Sequence, residues 1–362
     1  MSDLKYWVGF NRIPGIGRAK FSQLESYFSN LEQAWHAGPA DLKSAGLDTR
    51  SIEAIVASRP NISPDAEMEM LERYQVKALT WNDPAFPDRL KEIYDVPPLL
   101  YIRGALAAED EWAIAIVGTR RATIYGRDVT ERLVTDLVNN RITIVSGLAH
   151  GIDSVAHRTA LKAGGRTIAI FACGLDLVYP AENTKLAQAI IEQGALISEY
   201  PLGTRPKADN FPRRNRIMSG LSLGVVVTEA GESSGALITA NLALEQNREV
   251  FAIPGSILSP ASRGTNRLIQ DGAKLVRNVQ DILEELNLTM IPQQLEMREL
   301  VPADETESLL LKHLRNEPIH IDEVCRRSQL PIATVSSTLA MMELKGMVRH
   351  LGGMNYTLAR AD

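Results

Sequence analysis

Cysteine is nearly absent from the sequence. The two cysteines among its 362 residues, Cys173 and Cys325, lie far apart and in neither CxxC nor Cys/His spacing, so they predict no metal site. Nowhere do 18 apolar residues follow one another, and the first residues lack the basic and apolar regions of an export signal. We therefore expect a reduced, cytoplasmic protein without a membrane segment.

A net positive charge is also missing. The formal net charge is −5, which excludes a protein that coats nucleic acid indiscriminately and confines any polyanion site to one region. The common nucleotide signatures, GxGxxG and the Walker pattern, do not occur. Hydrophobic residues make up 45% of the chain, enough for packed cores, and the length suggests two or three domains.

Short apolar segments alternate with helical stretches between residues 112 and 276. Most of these segments end at Gly, Ser or Pro, which is typical of strands that lead into helices in a parallel sheet covered on both faces. The predicted strands are 113–117, 142–145, 167–171, 195–197, 225–227, 250–253 and 274–276. We predict an α/β fold, an extended Rossmann-like, doubly wound parallel sheet, with ligands at the carboxyl ends of its strands.

Smaller domains are predicted before and after this sheet in the sequence. A proline-rich passage separates the first of them from the sheet, and its last residues, PPLLYIRG, are predicted to form an edge strand. Residues 1–75 read as short helices, and the turn at Gly15 and Gly17 either grips a DNA phosphate, as in helix-hairpin-helix modules, or only packs. Residues 304–362 predict a winged helix of three helices and a hairpin. Its third helix, TVSSTLAMMEL, lacks Arg and Lys, which favours a protein-contact or regulatory module over a base reader. The predicted boundaries are 1–75, 76–290, a linker at 291–303, and 304–362.

The segment PLGTRPKADNFPRRNRIMSGL, from Pro201 to Leu221, carries the strongest functional signal. Between Arg205 and Arg216 it has five cations and one anion, a local charge of +4. Phe211 lies at the centre of this charge, where it either stacks on an unpaired base or anchors the core.

A helix is predicted to begin at Pro212, because proline is favoured in the first turn. Cations in that turn oppose the helix dipole, and a sequence that accepts this conflict indicates a bound anion. The residues placed there are Arg213, Arg214, Asn215 and Arg216.

Two small-residue turns follow predicted strands. In the first, Gly118 and Thr119 precede Arg120, and in the second Ser146 precedes Gly147. The glycines let backbone amides approach an anion, and Arg120 either adds a phosphate-binding guanidinium or forms an internal salt bridge.

No metal or catalytic site is predicted. His150, Asp153 and His157 would share one helix face, but the sequence identifies neither a fourth ligand nor a catalytic base for zinc. Asp153 is better explained by bonding a turn, and no nucleophile has an obvious base.

Seven segments together resemble the successive signatures of the DNA processing protein A family (DprA/Smf). They are VGTR, SGLAHGID, GLDLVYPAEN, SEYPLGTRP, FPRRNRIMSGLS, SGALITANLALEQNREVFAIPGS and GTNRLIQDGA. The resemblance implies a homodimer that binds single-stranded DNA, protects it during natural transformation and helps load a RecA-type recombinase, without catalysis or a cofactor. It also implies a sterile-alpha-motif-like domain before the sheet and a winged helix after it.

By this resemblance, DNA contacts fall on Arg120, Lys207, Phe211, Arg214, Asn215 and Arg216. Together with the glycine turns and the rest of the basic segment, the candidate DNA-binding set is Gly118, Thr119, Arg120, Ser146, Gly147, Lys207, Phe211, Arg213, Arg214, Asn215 and Arg216.

Two other functions stay open. Related Rossmann domains process nucleotides with a PGGxGTxxE motif, for which this chain has TEAGESSGALITA, without that glycine-rich acidic arrangement. A winged-helix regulator would instead bind one duplex sequence more tightly than single strands.

Overall fold

The computed structural model describes residues 3–288, 305–314, 319–344, 348–350 and 353–358. The chain forms two compact units, Met1–Leu286 and Asn287–Asp362. The predicted linker at 291–303 lies outside the described residues. Among the residues described, no helix combines the length and apolar character needed to span a bilayer.

Six short helices open the first unit. They are α1 Leu4–Asn11, α2 Arg18–Tyr27, α3 Leu31–His36, α4 Pro39–Ser44, α5 Thr49–Ser58 and α6 Pro64–Arg73. Gly15, with φ of +85°, turns the chain between α1 and α2, and Gly46, with φ of +89°, does the same between α4 and α5. Lys20 Nζ and Asp48 Oδ2 lie 2.6 Å apart and join the two hairpins. Two Gly-centred helical hairpins therefore pack together.

A nine-stranded sheet follows. Its strands are β1 Lys77–Thr80, β2 Leu99–Gly104, β3 Ala113–Gly118, β4 Thr143–Ser146, β5 Thr167–Ile170, β6 Gly194–Ser198, β7 Gly224–Glu229, β8 Glu249–Ala252 and β9 Lys274–Leu275. The strand order is β1-β2-β6-β5-β4-β3-β7-β8-β9, and the seven strands from β3 to β9 are parallel. Each of the seven apolar segments forms a strand, which confirms the predicted doubly wound parallel sheet.

The prediction that PPLLYIRG forms an edge strand is wrong in one respect. This segment supplies β2, but β2 pairs with β6 on one side and with β1 on the other, both antiparallel. Pro97 and Pro98 precede Leu99, the first residue of the strand, so their missing amide hydrogens leave the ladder intact. The edge position belongs to β1.

Helices cover both faces of the sheet, and alternate strand residues enter different cores. In β5, Ile168 and Ile170 belong to the core under α11 and α12, whereas Ala169 and the following Phe171 belong to the core that includes α10 and the N-terminal helices. This two-residue period is what a strand buried on both faces requires. The remaining helices of the unit are α7 Asp88–Lys91, α8 Ile124–Asn139, α9 Ile152–Lys162, α10 Thr184–Gln193, α11 Asn210–Leu221, α12 Gly235–Glu245, α13 Arg263–Gln270 and α14 Val279–Glu285.

The N-terminal helices share a core with the sheet. Tyr101 of β2 is fully buried, and its hydroxyl donates a 2.9 Å hydrogen bond to Asn11 Oδ1. Arg12 donates to the carbonyl oxygen of Leu202 at 2.8 Å, near the start of the segment from Pro201 to Leu221. The predicted boundary at 75/76 falls between α6 and β1, and the residues on its two sides pack as one unit.

The second unit contains α15 Glu305–His313, α16 Ile321–Ser328 and α17 Ile332–Leu344, with β10 Ile319–His320, β11 Val348–His350 and β12 Asn355–Leu358. Its sheet has the order β10-β12-β11. Leu310, Val324 and Leu339 are fully buried between the three helices. Three helices and a hairpin form the predicted winged helix.

Candidate nucleic-acid interface

A cleft of about 800 Å³ lies at the carboxyl ends of β3 and β7. Strands β4, β5 and β6 continue from β3 in one direction, and β7, β8 and β9 continue in the other. In open α/β sheets this reversal of strand order leaves a crevice between the loops, and ligands bind there.

Three elements form the walls of the cleft. The end of β3 and the loop after it provide Gly118, Thr119 and Arg120, α11 with the residues just before it provides a second wall, and the start of α12 provides a third. Asp153 and Tyr179 complete the lining. Glycine is required at position 118, because a Cβ there would overlap Ile152 of α9. The Thr119 amide donates to the carbonyl oxygen of Glu229 at 2.7 Å, which fixes the loop against the end of β7.

Helix α11 begins at Asn210, two residues before the predicted start at Pro212. The difference has a simple cause: amides throughout the first turn of a helix lack a partner within the helix, so proline fits at the third position as well. As a result Phe211 belongs to the first turn, and Arg214 and Arg216 lie further along the helix.

Phe211 is half-buried, and its ring faces the cleft between two cations. The Arg120 guanidinium carbon lies 5.4 Å from the ring centroid, and that of Arg214 lies 5.9 Å from it. Tyr179 meets the same ring edge to face, with centroids 5.7 Å apart. The ring is therefore not an interior anchor, and flat groups line the cleft around it.

Arg214 lies beneath the cleft, with only 4% of its surface exposed. Its guanidinium donates to the carbonyl oxygen of Gly147 at 2.8 Å and also to that of Ile170, while Nε has no partner among the described residues. Burial lowers the pKa of Arg214 to about 10, which still leaves it protonated at neutral pH. The chain thus holds a buried cation under the opening.

The turn at Ser146 and Gly147 is closed off from the cleft. The amides of Gly147 and Ala149 donate hydrogen bonds to Asp153 Oδ2 at 3.2 and 3.3 Å. The Gly147 amide, which was predicted to approach a bound anion, is therefore already paired with a carboxylate of the chain itself. Ser146 is fully buried and donates to the carbonyl oxygen of Ile116. Asp153 bonds a turn, as predicted, and burial raises its pKa.

Arg216 is held by carboxylates. Its guanidinium makes a two-pronged pair with Glu199, at 2.7 and 2.8 Å, and lies 3.0 Å from Asp95 Oδ2. Only 11% of its side chain is exposed. In this structure Arg216 therefore joins α11 to its neighbours, although the sequence places it among the DNA-binding cations. Asn215 is buried at the edge of the cleft.

The exposed cations lie elsewhere on the same surface. Arg120, Arg121 and Lys207 line the cleft, and Arg213 is exposed on α11. Within the described residues no carboxylate pairs with any of these four. The cleft lining contains four cations, including Arg214, but one carboxylate, that of Asp153. The first turn of α12, which begins at Gly235 and is capped by Ser234, adds partly positive backbone amides to the opposite wall. The electrostatic potential in the cleft suits an anion.

The histidines do not form a metal site. His157 is fully buried, and its Nδ1 lies 2.7 Å from Thr167 Oγ1. Burial and the charge of Arg214 lower the pKa of His157 to about 3. His150 precedes α9 and approaches Glu182 instead. In the described part of the chain no cluster of three or more His, Cys, Asp or Glu residues is placed to hold a metal.

Two parts of the cleft were missed by the sequence reasoning. Tyr179 lies 32 positions before Phe211 in the sequence, so no local pattern links the two rings. The start of α12 is absent from the candidate DNA-binding set, although a strand followed by small residues and a helix is the usual signal of an anion-binding helix terminus.

Comparison with known proteins gives two family matches. A model described as DNA recombination-mediator protein A matches residues 77–287, and one described as DprA winged helix domain matches residues 295–354. Protein Smf of Escherichia coli strain K12 is 38% identical over 368 residues, which cover 100% of this chain and 97% of that protein.

Two solved structures share the fold at higher than 30% identity. DNA processing protein A (DprA) from Streptococcus pneumoniae aligns with a TM-score of 0.69 and 37% identity, over 78% of this chain and 97% of the other. A structure that describes the single-stranded DNA binding mode of DNA processing protein A from Helicobacter pylori aligns with a TM-score of 0.54 and 33% identity, over 59% of this chain and 96% of the other.

Proposed function

The chain belongs to the DNA recombination-mediator protein A family, and on that premise we propose that its cleft binds single-stranded DNA. The observation that carries this proposal is the Phe211 ring between the Arg120 and Arg214 guanidinium groups at the mouth of a cationic cleft. An unpaired base can stack on such a ring while neighbouring cations hold its phosphates, whereas bases inside a duplex expose no face to it.

We assign each residue of the cleft a role according to whether its side chain is exposed or buried. Arg120, Lys207 and Arg213 are exposed and contact phosphates, and the Gly118 and Thr119 loop positions Arg120. Phe211 stacks on a base. Arg214 supports the ring from below and Asn215 lines the cleft, while Arg216, Ser146 and Gly147 hold α11 and the β4 turn in place.

Fluorescence anisotropy with labelled oligo(dT) and a matched duplex tests this proposal. Each phosphate neutralised contributes about −0.7 to the slope of log affinity against log salt for single strands. We expect a steep slope, tighter binding to the single strand, and a slope that is about 0.7 shallower in each of Arg120→Ala and Lys207→Ala. A flat salt response, or tighter binding to the duplex, would contradict the proposal and favour a winged-helix regulator.

We propose that the bound strand is passed to a RecA-type recombinase and that the protein acts as a homodimer, as the family resemblance implies. The test is the rate at which a RecA-type recombinase forms filaments on single strands coated with single-strand binding protein. Faster assembly with the wild type, but not with Arg120→Ala and Phe211→Ala combined, supports loading. Sedimentation of the free protein as a monomer at micromolar concentration would contradict the dimer.

A nucleotide-processing enzyme is the rival function. Asp153, the carboxylate of the cleft, already accepts hydrogen bonds from two backbone amides, and Glu229 accepts bonds from the amide and hydroxyl of Thr123. Both groups therefore have positioning roles, which supports binding without chemistry. Incubation with nucleoside monophosphates, followed by chromatography, should release no base, and release of base would favour the enzyme.

A further inference from the structure

Tyr94 presents its ring to solvent at an anchored position of the first unit. It is 88% exposed, the most exposed of the large hydrophobic side chains in the described part of the chain. Its neighbour Ile93 is buried and packs near Gly220 of α11. Asp95, which follows Tyr94, pairs with Arg216, and Glu92, which precedes Ile93, pairs with Arg248 at 2.8 Å. Because the residues around it are fixed, the ring is held outward by the fold.

A cation from the N-terminal helices covers part of this ring. The Arg18 guanidinium carbon lies 5.3 Å from the Tyr94 ring centroid, and Arg18 is itself exposed. Arg18 is the first residue of α2, directly after the turn of Gly15 and Gly17. The arrangement repeats the chemistry of the cleft, where Arg120 lies over Phe211 at a similar distance of 5.4 Å.

Helix α11 connects the two ring–cation pairs. Phe211 is in its first turn, and Arg216, five residues or about 7.5 Å further along the axis, touches the Tyr94 loop through Asp95. Arg213 precedes Arg216 by three positions and so lies on the same side of the helix, one turn nearer the cleft. It is exposed, whereas the carboxylates of Asp95 and Glu92 are each matched by an arginine.

We propose that Tyr94 and Arg18 form a second stacking platform, on which a base of the same single strand stacks after the strand leaves the cleft and passes Arg213. The proposal rests on the proposed function of the cleft. The platform extends the DNA path to the N-terminal helices. It also gives the Gly15–Gly17 turn a role, because this turn positions Arg18 beside the second stacked base. Single-strand sites combine spaced aromatic rings with a cationic track in this way, over about 4 to 16 nucleotides.

A length series separates this platform from the cleft. Labelled oligo(dT) of about 5 nucleotides fills the cleft alone, and one of about 25 nucleotides reaches both sites. We expect Tyr94→Ala to weaken binding of the long strand about five- to tenfold and that of the short strand less than twofold, since one stacked base is worth at least a factor of about five. Tyr94→Phe, which keeps the ring, should match the wild type at both lengths.

Tyr27→Ala is the matched control, since Tyr27 is another exposed tyrosine, at the end of α2 away from Arg18. It should leave both affinities unchanged. Wild-type affinity of Tyr94→Ala at both lengths overturns the platform, and so does an equal loss at both lengths, which would place the effect in the cleft. If wild-type protein binds neither strand, the proposed function itself has failed.

Photocrosslinking of the wild-type protein gives an independent readout. A long strand with 5-iododeoxyuridine at each position in turn should label Tyr94 from positions distant from those that label Phe211 or Tyr179. No adduct on Tyr94 from any position overturns the proposal. So does a Tyr94→Ala variant that slows recombinase loading at unchanged DNA affinity, because the ring would then contact a protein.

Discussion

Arg214 lies directly against the backbone of Gly147, with Nη1 2.8 Å from the glycine oxygen. A Cβ at position 147 would overlap the guanidinium, so the conformation of this arginine depends on a glycine 67 positions earlier in the sequence. The contact joins α11 to the end of β4 and fixes the height of Phe211 above the floor of the cleft.

Gly147→Ala should therefore destabilise the first unit by about 1–3 kcal/mol, the usual cost of overpacking a well-packed site. Urea unfolding followed by tryptophan fluorescence measures this change, since all four tryptophans belong to that unit. Gly235→Ala is the control, because a Cβ there would meet nothing within 4 Å. An unchanged urea midpoint for Gly147→Ala would mean that Arg214 can move aside freely.

Arg213 and Arg216 are predicted to act differently although they are three positions apart. Arg213→Ala should leave stability unchanged and make the salt slope for single-stranded DNA about 0.7 shallower, because an exposed cation is lost. Arg216→Ala should cost about 2–3 kcal/mol of unfolding free energy, because Glu199 loses its partner in a mostly buried pair.

A double variant checks the cause of the second effect. Glu199→Gln should recover part of the stability lost in Arg216→Ala, since it removes the unpaired charge. If Arg216→Ala is as stable as the wild type but loses DNA affinity, Arg216 contacts phosphate, as its place in the candidate DNA-binding set predicts.

The strands could be predicted from sequence because their cause is local. In β5 the apolar run itself marks a strand buried on both faces, and glycine turns mark where strands end. The role of each arginine could not be predicted, since Arg213, Arg214 and Arg216 look alike in sequence. Whether each is exposed, buried under a ring or paired depends on Glu199, Asp153 and Asp95, which only the folded sheet brings near.

The aromatic neighbours show the same limit. Phe211 stands out because cations surround it in the sequence, so it could be singled out. Tyr179 and Tyr94 lie in unrelated segments and reach their cationic or aromatic partners through the tertiary fold. The edge strand β1 was missed for a similar reason, because its position depends on pairing with β2.

Phe211→Ala should weaken binding of single-stranded DNA by about 1–3 kcal/mol, the value of one base stacked on an aromatic ring. Phe211→Trp should retain most of the affinity, because it keeps a flat face between the two guanidinium groups. Ile238→Ala is the control: this residue is apolar and also lines the cleft, but it offers no ring. Anisotropy titrations at one fixed salt concentration compare the three. Equal losses for Phe211→Ala and Ile238→Ala would indicate general apolar contact rather than stacking.

His157 makes the stability of the first unit depend on pH. The unfolded chain binds a proton at this histidine below a pKa near 6.5, whereas the folded chain, with its pKa lowered to about 3, does not. The contribution of His157 to the free energy of unfolding is therefore fully present above pH 6.5. It falls as the pH decreases towards about 3, by about 1 kcal/mol between pH 7 and pH 5.5.

Asp153, whose pKa is raised by burial, acts in the opposite direction, so the wild type and a His157 variant must be compared at both pH values. Urea midpoints at the two pH values should differ less in His157→Asn than in the wild type. An identical pH dependence in His157→Asn and wild type would show that the buried ring takes up its proton without unfolding.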